Sequence, residues 1–358
     1  MFLEAEVLNG LGYFLNLLFL VIGIALLVEG ADYFVSGASS IAKKLKISSL
    51  VIGLTVVSFG TSAPELAVSL SSSIKGESGI ALGNVVGSNI MNLLVVLGFS
   101  SVIAPIAVKG SICKREFPFL LASTGLLIIF SLDNLFSGYS GIENILSRGE
   151  CLIFICGIAL FCYISIVMAK KDAQRDLGAT AERQEASPKP EKDTPVWKAV
   201  VALLLGLAGI VIGAEFVTTP ATNIATSLGL AANLDKAMVT NVVGLTVVAI
   251  GTSLPELVTS IMAAKKGENE IAIGNVVGSN IFNILFICGL SGVITPLTMT
   301  NDIITDMILS LGATILVFVI CRKGKITRKN GGILLGVYAL YLAYILIRLF
   351  YPSLAIPF

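Results

Sequence analysis

Histidine is missing altogether from this chain of 358 residues, tryptophan occurs once, and only 13% of the residues are charged. The first absence excludes His-ligated metal centres and the catalytic triads and dyads that depend on an imidazole. The scarcity of charge excludes a water-soluble protein, in which about a quarter of residues are charged. A net charge of +1 leaves no strongly basic or acidic surface, so no nucleic-acid partner is expected. None of the six cysteines, Cys113, Cys151, Cys156, Cys162, Cys288 and Cys321, forms a C-x-x-C pair, and most sit in or beside apolar runs. They read as small buried hydrophobes without a disulfide framework. The start of the chain lacks a basic stretch followed by a small-residue cleavage site, so its first apolar run is expected to stay as a helix.

What remains is apolar: 55% of residues are hydrophobic and the mean hydropathy is +0.92. Runs near the ~20 residues that cross a bilayer as helix occur at 12–35, 48–73, 80–105, 117–132, 150–169, 197–219, 238–264, 271–297, 303–321 and 332–351. An all-α polytopic membrane protein with ten transmembrane helices follows. The polar stretch 170–196, containing "ASPKPEKDTP", reads as a linker between 1–169 and 197–358. With ten spans, the 24 basic residues divide 20 to 4 between alternate loops. The richer side is cytoplasmic by the positive-inside rule, which puts both termini outside the cytoplasm.

The sequence repeats itself. Residues 53–108 align without a gap to 244–299, with 32 of 56 positions identical. The cores are "GLTVVSFGTSAPEL" with "GLTVVAIGTSLPEL", and "GNVVGSNIMNLL" with "GNVVGSNIFNIL". Upstream, "GADYFVSGASSIAKKL" resembles "GAEFVTTPATNIATSL", pairing Asp32 with Glu215. Five spans per unit is an odd number, so the second unit enters from the opposite side and the two five-helix repeats are inverted. Inverted repeats are a recurring plan of secondary transporters, with the substrate site near the midplane on interrupted helices.

Glu65 and Glu256 lie within apolar spans, where a carboxylate costs at least about 2.5 kcal/mol. Each follows a proline, which removes an N–H and bends the helix, freeing the carbonyls of Gly60 and Gly251 and letting those of Ser58 and Ala249 face inward. Thr61 and Ser62 precede Glu65 by four and three residues, on the same helical face, and Thr252 and Ser253 repeat this before Glu256. Ser88 and Asn92 are again four apart, mirrored by Ser279 and Asn283. Together these form a cage of hard oxygen donors suited to Na⁺ or Ca²⁺. Gly83 and Gly87 read as a G-x-x-x-G helix contact. Asn84 and Asn275 are weaker ligand candidates, and Asp32 and Glu215 either line an access path or face water at the bundle edge.

The paired "G-T-S-x-P-E" and "G-N-V-V-G-S-N-I-x-N" motifs resemble the two α-repeats of the sodium/calcium exchangers, within the cation/calcium antiporter superfamily. The resemblance implies exchange of three Na⁺ for one Ca²⁺ across a prokaryotic cell membrane, with no cofactor and no protein partner. By motif position it implies as ligands the carbonyls of Ser58 and Ala249, the hydroxyls of Thr61, Ser62, Ser88, Thr252, Ser253 and Ser279, the carboxylates of Glu65 and Glu256, and the amides of Asn92 and Asn283. Potassium-dependent and some prokaryotic relatives place Asp where Asn283 stands, which puts a K⁺ requirement in doubt. A Ca²⁺/H⁺ antiporter, with the two glutamates carrying protons, and a cation channel remain open from the residues alone. No nucleophile with a partner base is visible, so an enzyme is not expected.

Overall fold

The computed structural model describes residues 10–45, 47–132, 144–181, 195–231 and 249–350, and these are almost wholly helical. The helices are α1 (Gly10–Leu45), α2 (Ser49–Thr61), α3 (Ala63–Ile74), α4 (Ser78–Ile103), α5 (Gly110–Lys114), α6 (Glu116–Phe130), α7 (Arg148–Ala181), α8 (Val196–Ala231), α9 (Ala249–Thr252), α10 (Leu254–Lys265), α11 (Asn269–Ile294), α12 (Asn301–Cys321) and α13 (Arg328–Phe350). Among the described residues seven helices are long and apolar enough to cross a membrane, or eight if the bent pair α2 and α3 is one span. The apolar run at 117–132 is occupied by α6, which has only 15 residues. Of the run at 238–264, the part before 249 lies outside the described residues. Helix α7 continues to Ala181, so the first part of the expected linker is helical, and α8 extends twelve residues beyond 219.

Helices α1 and α8 each have 36 residues. At 1.5 Å per residue that is about 54 Å, well beyond the ~30 Å hydrocarbon core. They lie antiparallel against each other along glycines. A Cβ at Gly30 would sit 2.8 Å from the Ile210 nitrogen, one at Gly23 would sit 2.9 Å from the Gly213 carbonyl, and one at Gly37 would sit 2.6 Å from the Leu203 nitrogen. Backbones this close gain dispersion contacts that lipid cannot offer, which is how small residues hold membrane helices together.

The centre of the bundle belongs to α4 and α11. In their most apolar stretches 78% and 94% of residues are buried, against 28% for α1, α7 and α8. Helix α11 presses on α2, where a Cβ at Gly274 would lie 3.0 Å from the Leu50 carbonyl and one at Gly278 would lie 2.7 Å from that of Leu54. The corresponding glycines of α4 are Gly83 and Gly87, and positions 241 and 245, which match Leu50 and Leu54 in the second copy, lie outside the described residues. The G-x-x-x-G contact is therefore described only at Gly274 and Gly278.

Contacts between the helix ends fall into two groups. Where α4 ends and α11 begins, β1 (Ile106–Ala107) pairs with β4 (Lys325–Ile326), Lys109 forms an ion pair with Glu270, and Arg328 donates to the Ile103 carbonyl at 3.4 Å. Where α11 ends, β2 (Ile145–Leu146) pairs with β3 (Leu297–Thr298), and Arg148 donates to the carbonyls of Val293 and Ile294 at 3.1 and 3.2 Å. Exchanging the two sequence copies turns the strand pair and arginine contact of one group into those of the other, while the Lys109–Glu270 pair has no counterpart, Thr300 and Gly79 standing at the matching positions.

Candidate functional site

The "G-T-S-x-P-E" segments are helix breaks. Helix α2 stops at Thr61 and α3 starts at Ala63, at a bend of 50°. Ser62 between them has φ −82° and ψ 10°, and Ser253, between α9 and α10, has φ −91° and ψ 5°. The prolines therefore stand in the first turn of a new helix, where a missing N–H breaks no intrahelical bond. The break falls two residues before each proline. It also places Glu65 and Glu256 in the first turns of α3 and α10, where the N-terminal end of the helix dipole favours a carboxylate.

Both carboxylates are completely buried, and each is held by the other copy. Ser62 donates to Glu256 Oε1 at 2.8 Å and Ser253 donates to Glu65 Oε1 at 3.3 Å. Ser279 donates to Glu256 Oε1 at 3.4 Å, and Thr61 donates to Asn275 Oδ1 at 3.0 Å. The second oxygens, Glu65 Oε2 and Glu256 Oε2, are buried without a hydrogen-bond partner. The two carboxylates lie close enough to act on each other's charge, and among the described residues neither forms an ion pair with a Lys or Arg. Buried carboxylates without a base keep their charge only beside a cation and otherwise take up a proton.

Asn92 and Asn283 open two stretches of wider, π-helical turn, Asn92–Val96 and Asn283–Cys288, within α4 and α11. Both are fully buried, and Asn92 Oδ1 and Asn283 Oδ1 are also without partners. A third such stretch, Gly53–Val57, precedes Ser58. π-helical turns inside α-helices concentrate at functional sites. The Ser58 carbonyl accepts from the Ser62 N–H at 3.0 Å and from the Thr61 hydroxyl at 3.4 Å. Ala249 and Thr252 bound the short α9 just before the second break, and Thr252 is half-buried.

Two of the weaker candidates hold backbone and side chains together. Asn84 Nδ2 donates to the Glu65 carbonyl at 3.0 Å and to Ser69 Oγ at 2.8 Å, and Asn275 Nδ2 donates to the Glu256 carbonyl at 3.3 Å and to Ser260 Oγ at 3.0 Å. They tie the broken helices to α4 and α11. Asp32 pairs with Lys266 at 2.7 Å, and the exposed Glu215 accepts from Thr219 one turn along its own helix at 2.8 Å. Neither belongs to the cluster. The motif reading passed over Asn89 and Asn280, although each is identical in the two octapeptides. Asn89 Nδ2 donates to the Asn280 carbonyl at 3.4 Å, and Asn280 Nδ2 to that of Asn89 at 3.3 Å.

A bundle of apolar helices, broken at two buried carboxylates that are surrounded by hydroxyls and amides, defines a membrane transporter of hard cations. The profile of the family described as "Sodium/calcium exchanger protein" matches residues 15–167 and 198–347. The chain is 39% identical over 315 residues to CaxA of Alkalimonas amylolytica, which is named as an antiporter; this covers 87% of the chain and 92% of CaxA. It is 35% identical over 349 residues to the sodium/calcium exchanger MaX1 of Methanosarcina acetivorans, covering 91% and 97%. A solved structure of the sodium-calcium exchanger NCX_Mj, soaked with Na⁺ and Sr²⁺, superposes with a TM-score of 0.75 at 29% identity, covering 92% of this chain and 98% of the other. The chain belongs to the sodium/calcium exchanger family and is a transmembrane cation antiporter.

Proposed function

We propose that the protein exchanges Na⁺ for Ca²⁺, three for one, by alternating access to one central site. Glu65 and Glu256 supply the negative charge. Around them the hydroxyls of Thr61, Ser62, Ser88, Thr252, Ser253 and Ser279, the amide oxygens of Asn92 and Asn283, and the carbonyls of Ser58 and Ala249 replace the hydration shell of the bound ions. The observation that carries this reading is the pair of buried, partnerless carboxylate oxygens, each on a glutamate anchored by a serine of the opposite copy. Ca²⁺ takes 6–8 oxygens, which such a set can furnish. For Ser58 a bound ion would share a carbonyl that already accepts two hydrogen bonds.

The same reading arranges the chain as two inverted five-helix repeats, 1–169 and 197–358, around the linker 170–196. The exchange of helix-end contacts between the two copies supports it. Both termini are extracytoplasmic in this arrangement, and the bacterial and archaeal relatives support residence in a prokaryotic cell membrane.

The test is Ca²⁺ uptake into proteoliposomes holding the purified protein under an outward Na⁺ gradient, with and without a pH gradient. Uptake should follow the Na⁺ gradient and ignore the pH gradient when valinomycin and equal K⁺ on both sides hold the potential at zero. Uptake driven by the pH gradient alone would assign the glutamates to proton exchange instead.

A further inference from the structure

Asn89 and Asn280 lie where α4 crosses α11, exposed by only 2% and 0%. Each gives its amide nitrogen to the other's backbone carbonyl, at 3.4 and 3.3 Å. An asparagine has one donor end and one acceptor end, so fixing the nitrogen fixes the direction of the oxygen. Asn89 Oδ1 then accepts from Asn283 Nδ2 at 3.0 Å. With its nitrogen held there, Asn283 keeps only its oxygen, Oδ1, which is buried and without a partner.

The mirrored bond would run from Asn92 Nδ2 to Asn280 Oδ1. It is not made: Asn92 Nδ2, Asn92 Oδ1 and Asn280 Oδ1 are all buried without partners. Leaving such groups unpaired is unfavourable, since each loses its bonds to water without gaining a partner. Two positions identical in both copies are thus used differently in one structure.

We propose that Asn89 and Asn280 are positioning residues of the transport site. Each holds the amide of the asparagine supplied by the other copy, Asn283 or Asn92, so that its oxygen faces the cation. In this structure the Asn89–Asn283 half is engaged and the Asn280–Asn92 half is released. The inference rests on Asn92 and Asn283 being ligands, as proposed above. It also carries a selectivity argument. Asn89 cannot turn its amide without giving up the Asn280 carbonyl, so it presents an oxygen to position 283 and favours a neutral amide over a carboxylate there. The site is thereby kept at two negative charges.

The test is a double-mutant cycle read by calorimetric Ca²⁺ binding to purified protein in Na⁺-free detergent solution, with Asn89→Ala, Asn283→Ala and the double variant. Asn89→Ala should weaken binding about tenfold alone but less than twofold in the Asn283→Ala background, because it acts through that amide. A helix-packing role would weaken binding by the same factor in both backgrounds, and that outcome would overturn the proposal. Should Asn89→Ala fail to fold, the mirrored cycle of Asn280→Ala with Asn92→Ala decides: non-additive effects support the proposal and additive ones overturn it. Glu65→Gln and Glu256→Gln serve as controls. If they bind Ca²⁺ like the parent protein, the site assignment itself fails; if they lose binding while the cycles are additive, only the positioning role fails.

Discussion

At the scale of single residues, the two glutamates dominate because, among the described residues, no base pairs with either of them. Glu65→Gln and Glu256→Gln keep the size of the side chain and remove the charge, so each is expected to abolish Na⁺-driven Ca²⁺ uptake while the protein still reaches the membrane. Uptake by either variant at the parental rate would mean that the carboxylates do not hold the divalent ion. Ser62→Ala and Ser253→Ala each delete one cross-copy hydrogen bond to a carboxylate. Hydrogen bonds to charged groups contribute about 1.5–3 kcal/mol, so both substitutions should raise the Ca²⁺ concentration for half-maximal uptake more than tenfold. These residues were legible in the sequence because a charge in an apolar run demands a reason and because the copy repeats it. Asn89 and Asn280 carried the same duplicated signal, but their role depends on an oxygen and a nitrogen meeting across two helices, which helical spacing alone does not reveal. Asn84 and Asn275 show the opposite difficulty: one amide can bind an ion or a backbone carbonyl, and only the fold distinguishes them.

At the scale of helices, the α1–α8 contact is the tightest test of packing. Its glycines fall at Gly23, Gly30 and Gly37 on one helix and at Gly206 and Gly213 on the other, seven apart in each case. A Cβ at Gly206 would strike the Phe34 backbone and lie 2.7 Å from the Gly30 carbonyl. Gly206→Ala should therefore cost about 1–3 kcal/mol through overpacking and lower the melting temperature in detergent. Gly336→Ala on the exposed face of α13, where an added Cβ meets nothing within 4 Å among the described residues, should leave it unchanged. Equal effects would show that α1 and α8 are not in close backbone contact. This seam escaped the motif reading because seven-residue glycine spacing is common in apolar runs and no polar residue marks it. Helix lengths were underestimated at α7 and α8 because polar residues end an apolar run without ending a helix.

At the scale of the whole molecule, the duplicated sequence, the exchanged helix-end contacts and the 20-to-4 division of basic residues support the proposed arrangement in the bilayer. A reporter fused after Phe358 should be active outside the cytoplasm and a tag placed within 175–190 should be reached only from the cytoplasm; a cytoplasmic C-terminus would mean that the number of spans is odd. Under the proposed three-for-one exchange, two carboxylates bearing one Ca²⁺ would be neutral and the same two bearing three Na⁺ would carry +1, so each cycle would move one net charge. One charge in a potential of 100 mV is worth about 2.3 kcal/mol, or about fifty-fold in the Ca²⁺ ratio at equilibrium. The decisive measurement is Na⁺-driven Ca²⁺ flux in proteoliposomes at fixed Na⁺ and Ca²⁺ gradients, with the potential set by valinomycin and K⁺. We expect an inside-negative potential to favour Na⁺ entry with Ca²⁺ exit and the reverse potential to oppose it. Flux that ignores the potential would contradict three-for-one exchange through a doubly negative site.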